Sequence, residues 1–213
     1  MRYVRFLAVV GLLLACLCGQ SFSADVTGRA YVGAGAGTLV FIGDDHMTGS
    51  AFGGGRQTRL YGDLLVGYIV KPNLSVTASG GFGWQAYTFD DMRVCTVKPI
   101  TIGVEYRHQI RKFVPRGGVG VGYYLWTVLQ DRKVLKDPVT REELARGNVG
   151  GYVVVGTDYF MRPTIALCCD AIGHYILSED KDDFPSAYAL NDQVLILKVG
   201  VKYYFSPQKL HKP

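Results

Sequence analysis

The chain has 213 residues, a mass of 23.4 kDa and a formal net charge of +5, with 48% hydrophobic and 19% charged residues. It is one domain's length of chain, too apolar for a disordered polypeptide, and it holds no block of five or more Lys/Arg, so nucleic acid is excluded as a partner. High Gly and Tyr contents, 27 and 14 residues, with so little charge suit many tightly twisted strands better than a soluble enzyme core.

At the N-terminus, Arg2 and Arg5 precede an apolar stretch from Phe6 to Gly19, and Ser21-Phe22-Ser23 forms a small-x-small site before Ala24. This pattern predicts a cleaved export signal over 1–23 and a mature domain over 24–213. The apolar run is shorter than the ~20 residues a transmembrane helix needs. Leu13-Leu14-Ala15-Cys16 offers a competing reading in which Cys16 is lipidated, but Leu14 fits that box poorly. Cleavage removes Cys16 and Cys18 and leaves Cys95, Cys168 and Cys169. An odd number of cysteines without CxxC or CxxH spacing argues against a disulfide scaffold or a metal site. No cofactor and no metal are expected, and the cysteines read as small buried apolar residues.

Beyond the signal the hydrophobic period is two, not 3.6. Eight alternating segments follow at 27–41, 59–70, 74–89, 94–108, 112–129, 147–161, 164–177 and 194–205. All reach the ~9–11 residues of a tilted transmembrane strand. Their connections alternate in length. Lys71-Pro72-Asn73, 109–111 and Arg162-Pro163 are short, whereas 42–58, 130–146 and 178–193 are long and fall on every second connection, with the brief 90–93 among them. Short turns at one end and long loops at the other are the asymmetry of bacterial outer-membrane barrels. Within the 130–146 connection, Thr140-Arg-Glu-Glu143 is a capping box and predicts a helical turn. Glu179, Asp180, Asp182 and Asp183 form a charge run, read as solvated, with a divalent cation bridging to lipopolysaccharide as the sharper alternative.

Each segment sorts into a polar and an apolar face. In 59–70, Arg59, Tyr61 and Asp63 oppose Leu60, Leu64, Val66 and Tyr68; in 194–205, Lys198 and Lys202 oppose Leu197, Val199, Val201, Tyr203 and Phe205. The polar faces collect Arg29, Arg59, Asp63, Glu105, Arg107, Lys112, Arg116, Asp158, Asp170, His174, Lys198 and Lys202. Both signs are mixed, and glycines at 33, 35, 37, 118, 120 and 122 share those faces. Eight strands leave a lumen only wide enough for side chains, so a plugged interior held by ion pairs is expected. The glycine runs are not phosphate loops, because no helix follows them. Tyr68, Tyr106, Tyr159, Tyr203 and Phe205 lie on the apolar face near the short-turn ends, as an interfacial girdle would. Lys98 breaks the pattern, since a Lys at the membrane midplane costs about 2–4 kcal/mol. It is expected above the membrane, or turned inward by an irregularity at Pro99.

The resulting expectation is an all-β, eight-stranded antiparallel up-and-down transmembrane barrel. The segments Phe113–Thr127 (FVPRGGVGVGYYLWT), Val149–Leu167 (VGGYVVVGTDYFMRPTIAL) and Ile196–Phe205 (ILKVGVKYYF) resemble the small eight-stranded outer-membrane barrels of Gram-negative bacteria, OmpA-like and OmpW-like. In that resemblance Val201, Tyr203 and Phe205 are the C-terminal signal read by the barrel assembly machinery, from which the tail 206–213 departs because the aromatic is not the last residue. The resemblance implies an outer-membrane location, contact with outer-membrane lipid and lipopolysaccharide, and a structural, surface-interaction or small-solute-pore role without an active site. A monomer is expected. Two alternatives stand beside it: a soluble periplasmic barrel binding an apolar ligand, and an outer-membrane lipid-modifying enzyme. For the latter His174 invites comparison with a His-x-Ser pair, but position 176 is Ile and Ser178 lies too far along.

Overall fold

Residues 27–41, 57–87, 93–136, 141–143, 145–177 and 193–205 are described by the computed structural model. The signal segment with Cys16 and Cys18, the acidic run at 179–183, Ser178 and the tail 206–213 lie outside these residues. Among the described residues nine strands form: β1 (Ala30–Phe41), β2 (Gln57–Lys71), β3 (Leu74–Tyr87), β4 (Arg93–Arg107), β5 (Phe113–Gln130), β6 (Lys133–Val134), β7 (Ala145–Arg162), β8 (Ile165–Ile176) and β9 (Gln193–Tyr204). Each long strand pairs antiparallel with its neighbour in sequence, β4 with β5 and β5 with β7 included, and β1 pairs with β9, where Gly35 stands opposite Gly200. Eight long strands therefore close into a barrel without a free edge, which removes the unpaired backbone groups that neither lipid nor aggregation would spare.

The short turns fall at one end. Ala30 of β1 and Tyr204 of β9 lie there with the connections 71–74, 107–113 and 162–165, the second tightened by the pair Ile110–Phe113 and by Arg111 at φ 57°. This end is called lower, and the opposite end upper. Near the upper end the expected loop over 130–146 is partly strand. Asp131 and Arg132 take φ of 51° and 66°, the left-handed pair of a type I′ turn, and fold Lys133 and Val134 back onto Gln130 and Leu129. The helical turn expected from Thr140 to Glu143 is not formed at the described residues 141–143: Glu143 bridges to Lys136 and Arg141 has φ 65°. The cross-strand pairing takes the backbone groups a helical turn would have used, and Thr140 lies outside the described residues.

Alternation decides the two faces. Outward stand Leu64 at 70% exposure, Val155 at 69%, Val199 and Val121, with Tyr68, Tyr106, Tyr203 and Phe205 exposed toward the lower end. An apolar surface wrapping the whole circumference has no stable home in water and requires hydrocarbon. Tyr159 shares that outer face, in register with exposed Phe113 and Leu167, but is itself covered. It is buried, its ring centroid 4.9 Å from that of Phe113 across the β5–β7 pair, so Phe113 takes the exposed position. Inward, two apolar layers form. The lower holds Tyr31, Leu65, Ile69, Val114, Phe160, Ala166 and Tyr204; the upper holds Leu39, Tyr61, Cys95, Val97, Tyr124, Trp126 and Val128 among others. Cys95 and Cys168 are buried and Cys169 is exposed on the outer face, all three as free thiols.

Gly103 and Gly120 stand opposite each other on β4 and β5, and the Tyr152 ring lies across both. A side chain at either would be driven into that ring and the neighbouring backbone. The closed barrel should resist dodecyl sulfate until heated, giving different mobilities before and after boiling. Gly120→Val should lower the temperature at which that shift occurs, in line with an overpacking cost of about 1–3 kcal/mol; an unchanged transition temperature would contradict the packing described.

Candidate functional site

Between the two apolar layers the lumen is crossed by a belt of eight charges, four cations and four carboxylates, so its formal charges cancel. Its centre is Asp158 on β7, which has no exposed surface. Oδ1 accepts from Lys202 Nζ at 2.9 Å and from Arg116 Nε at 3.1 Å. Oδ2 accepts from Arg107 Nη2 at 3.2 Å and from the Tyr204 hydroxyl at 2.8 Å, and that hydroxyl in turn accepts from Arg107 at 3.0 Å. Arg116 continues the belt, with Nη1 donating to Glu105 Oε2 at 2.9 Å and Nη2 to Asp170 Oδ1. Lys198 stands 3.8 Å from the other oxygen of Asp170 and donates to Asp63. One continuous chain of ion pairs thus joins β2, β4, β5, β7, β8 and β9.

Register and glycine make these contacts possible. Arg116, Gly156 and Asp170 occupy one row across β5, β7 and β8, and the bare Cα of Gly156 lets the guanidinium pass over β7 to the carboxylate. A Cβ there would collide with Asp170. On the other side, Gly35 lies opposite Asp63, and a Cβ on it would come 3.2 Å from the Lys198 side chain. The Arg107 guanidinium also sits 5.7 Å from the Tyr31 ring centroid and 5.6 Å from that of Tyr204, with Lys202 5.3 Å from Tyr31. These aromatic faces soften the loss of water around cations that outnumber the carboxylate they share.

His174 is buried above the belt. Its Nδ1 lies 2.9 Å from the Tyr124 hydroxyl, and its ring packs against Tyr124 and Tyr152. Its Nε2 has no hydrogen-bond partner in the protein, and His174 lines a cavity of about 40 Å³ that also touches Ser79, Thr101, Val154, Arg116 and Asp170. Such a space accommodates about three waters. Besides His174, three of the residues grouped by sequence stand apart from the belt. Arg29 lies at the lower mouth, its Nη1 donating to the Pro163 carbonyl at 3.1 Å. Arg59 stands toward the upper end of β2, opposite Gln85 in register, and Lys112 sits in the 107–113 turn. Alternation did not single out Tyr31 and Tyr204 as partners of the charges, or Tyr124 as the partner of His174. Parity alone could have done so for Tyr204, which shares the face of Lys198 and Lys202.

Val201, Tyr203 and Phe205 all point outward, and the Tyr203 and Phe205 rings meet edge to face at 5.3 Å. The strand carrying them is paired on both sides, by β8 and β1.

No protein-family model and no curated protein sequence matches the chain. Solved structures do. A major outer membrane protein from Thermus thermophilus matches with a TM-score of 0.58 and 16% identity, over 84% of this chain and 99% of that one. Neisserial surface protein A matches at 0.56 and 14%, covering 83% and 97%. The attachment invasion locus protein Ail of Yersinia pestis matches at 0.55 and 13%, covering 84% and 99%. These likenesses define the fold, that of the small eight-stranded outer-membrane β-barrels. With that fold and an apolar face around its whole circumference, the chain is an outer-membrane barrel.

Because Asp158 is shared by three cations, removing it strands buried positive charge, a defect that costs about 3–5 kcal/mol. Asp158→Ala should therefore destabilise the barrel by about that amount in urea unfolding from lipid vesicles, followed through tryptophan fluorescence. Arg29→Ala, outside the belt, should change stability by less than about 1 kcal/mol. Equal effects of the two substitutions would contradict a belt centred on Asp158.

Proposed function

We propose that this protein is a closed, non-conducting barrel without enzymatic activity, whose role is structural or is carried by its upper connections at the cell surface. The observation behind this reading is the close packing of the lumen above and below the belt. Tyr31, Leu39, Asp158 and Tyr204 expose 1% of their surface or less, and Trp126 exposes 2%. Residues lining an open aqueous channel would be wetted. Here a charged belt with apolar layers on both sides packs the interior, apart from the small cavity beside His174, as the width of an eight-stranded barrel favours.

Against the soluble-barrel alternative weighs the position of the charge. An apolar ligand needs an apolar cavity, whereas the belt occupies the interior and the apolar side chains face out. Against a lipid-modifying enzyme weighs His174, which is buried inside the barrel against Tyr124, away from the face acyl chains would touch. The row Val201, Tyr203 and Phe205 is the segment we assign to recognition by the assembly machinery. Lipid and lipopolysaccharide are the partners of the outer face, and the closed edge of every strand favours a monomer.

Reconstitution into planar bilayers tests the closed lumen. The wild-type barrel should give no steady single-channel steps at neutral pH. Regular conductance steps from a preparation that shows heat-modifiable mobility would overturn the reading and restore a small-solute pore.

A further inference from the structure

Along the outward faces of the eight barrel strands, between their terminal turns, Lys98 is the single charged residue among those described. The irregularity anticipated at Pro99 does not turn it inward. The β4–β5 ladder runs unbroken through Lys98–Leu125 and Pro99–Tyr124, and Lys98 is exposed while Pro99 is buried. No hydrogen bond or ion pair joins Lys98 to another described residue. A cation kept on a face otherwise selected for hydrocarbon calls for an anion that approaches from outside the protein.

Its height identifies where that anion lies. Tyr106, on the same face of β4 at the lower girdle, is eight residues away. At about 3.4 Å per residue and a strand tilt of about 40°, that is about 20 Å along the membrane normal. The apolar band of outer-membrane barrels is about 25 Å tall. Lys98 therefore stands near its upper edge, at the end of the long connections, and its flexible stem can carry the ammonium group up to headgroup level. Its neighbours make a shelf. Leu125 is directly opposite on β5, and the β3 register on either side, Gly83 with Val97 and Gly80 with Ile100, sets Phe82 beside it. Trp84, paired with Thr96, lies one row higher, and Tyr123, paired with Ile100, one row lower. Phe82, Tyr123 and Leu125 are exposed. The shelf spans three strands, about 10 Å at the usual spacing, which is the breadth of a disaccharide more than of one glycerol headgroup.

We propose that Lys98 and this shelf bind a phosphorylated saccharolipid of the outer leaflet, of lipid A type, with the ammonium group paired to a phosphate and Phe82, Trp84 and Leu125 against sugar and acyl chains. The proposal rests on the outer-membrane placement above and names the lipid that the outer face selects.

Native mass spectrometry of the refolded barrel in detergent tests it, with bisphosphoryl lipid A, lipid A stripped of both phosphates, and phosphatidylglycerol as probes. Wild type should retain bisphosphoryl lipid A about fivefold more strongly than Lys98→Ala, the effect of one cation near a membrane surface. Lys98→Arg should behave as wild type, and dephosphorylated lipid A should not distinguish wild type from Lys98→Ala. Equal retention of bisphosphoryl lipid A by wild type and Lys98→Ala overturns the proposal, as does phosphatidylglycerol binding as well as lipid A. Boiled and unboiled mobility of the same samples separates the two readings. A wild-type chain with no shift would sink the barrel itself, whereas a folded barrel indifferent to Lys98 sinks only the lipid site.

Discussion

A carboxylate without access to water dictates the interior of this barrel. Asp158 would be intolerable alone in a space of low dielectric, and the lumen is arranged to answer it. Three cations and a phenol reach it from β4, β5 and β9, and the surplus of positive charge is balanced by further carboxylates gathered around Arg116. Arg116 is answered by Glu105 and Asp170, and the second oxygen of Asp170 draws in Lys198, which is answered by Asp63. The sequence of obligations ends with four charges of each sign. Any strand in the belt that slipped by one residue would send its charge to the lipid and leave its partners unpaired. The belt therefore fixes register across six strands at once.

Small residues are the other half of that arrangement. An eight-stranded lumen has no room for eight charged side chains unless neighbouring positions are bare. Gly156 lies between Arg116 and Asp170, Gly35 beside Asp63 and Lys198, and Gly118 opposite Glu105. Tyr152, laid over Gly103 and Gly120, fills the width that the glycines open higher up. Composition, often read as a sign of loose chain, here reflects the cross-section of a narrow tube.

Much of this was legible in sequence because a two-residue period leaves little ambiguity about faces. Asp63, Glu105, Arg107, Arg116, Asp158, Asp170, Lys198 and Lys202 sort inward by parity alone, and the short connections at Lys71–Leu74 and Arg162–Ile165 mark one end. Parity says nothing about height, however. It could not separate Arg29, at the mouth, from Arg107, in the belt, nor tell that Arg59 stands above it. Who pairs with whom depends on register between strands distant in the chain, as in Arg116 with Asp170. The turn at Asp131–Arg132 escaped because neither residue is glycine, and the capping box at Thr140–Glu143 misled because a local signal yielded to the strand pairing around it. Tyr159 keeps its outward parity, but its burial against Phe113 is a property of two strands together.

The position of β9 in the chain gives the belt a direction in time. Lys198 and Lys202 are its last members to be synthesised and both lie on the strand that closes the barrel against β1. Before that strand arrives, Asp63, Glu105, Asp158 and Asp170 face only Arg107 and Arg116, four negative charges against two positive. An open sheet of the first seven long strands would carry an unbalanced negative interior, held apart by its own repulsion and hydrated. Closing the seam and neutralising the lumen coincide, because the two lysines that balance the belt sit on the strand that pairs with β1.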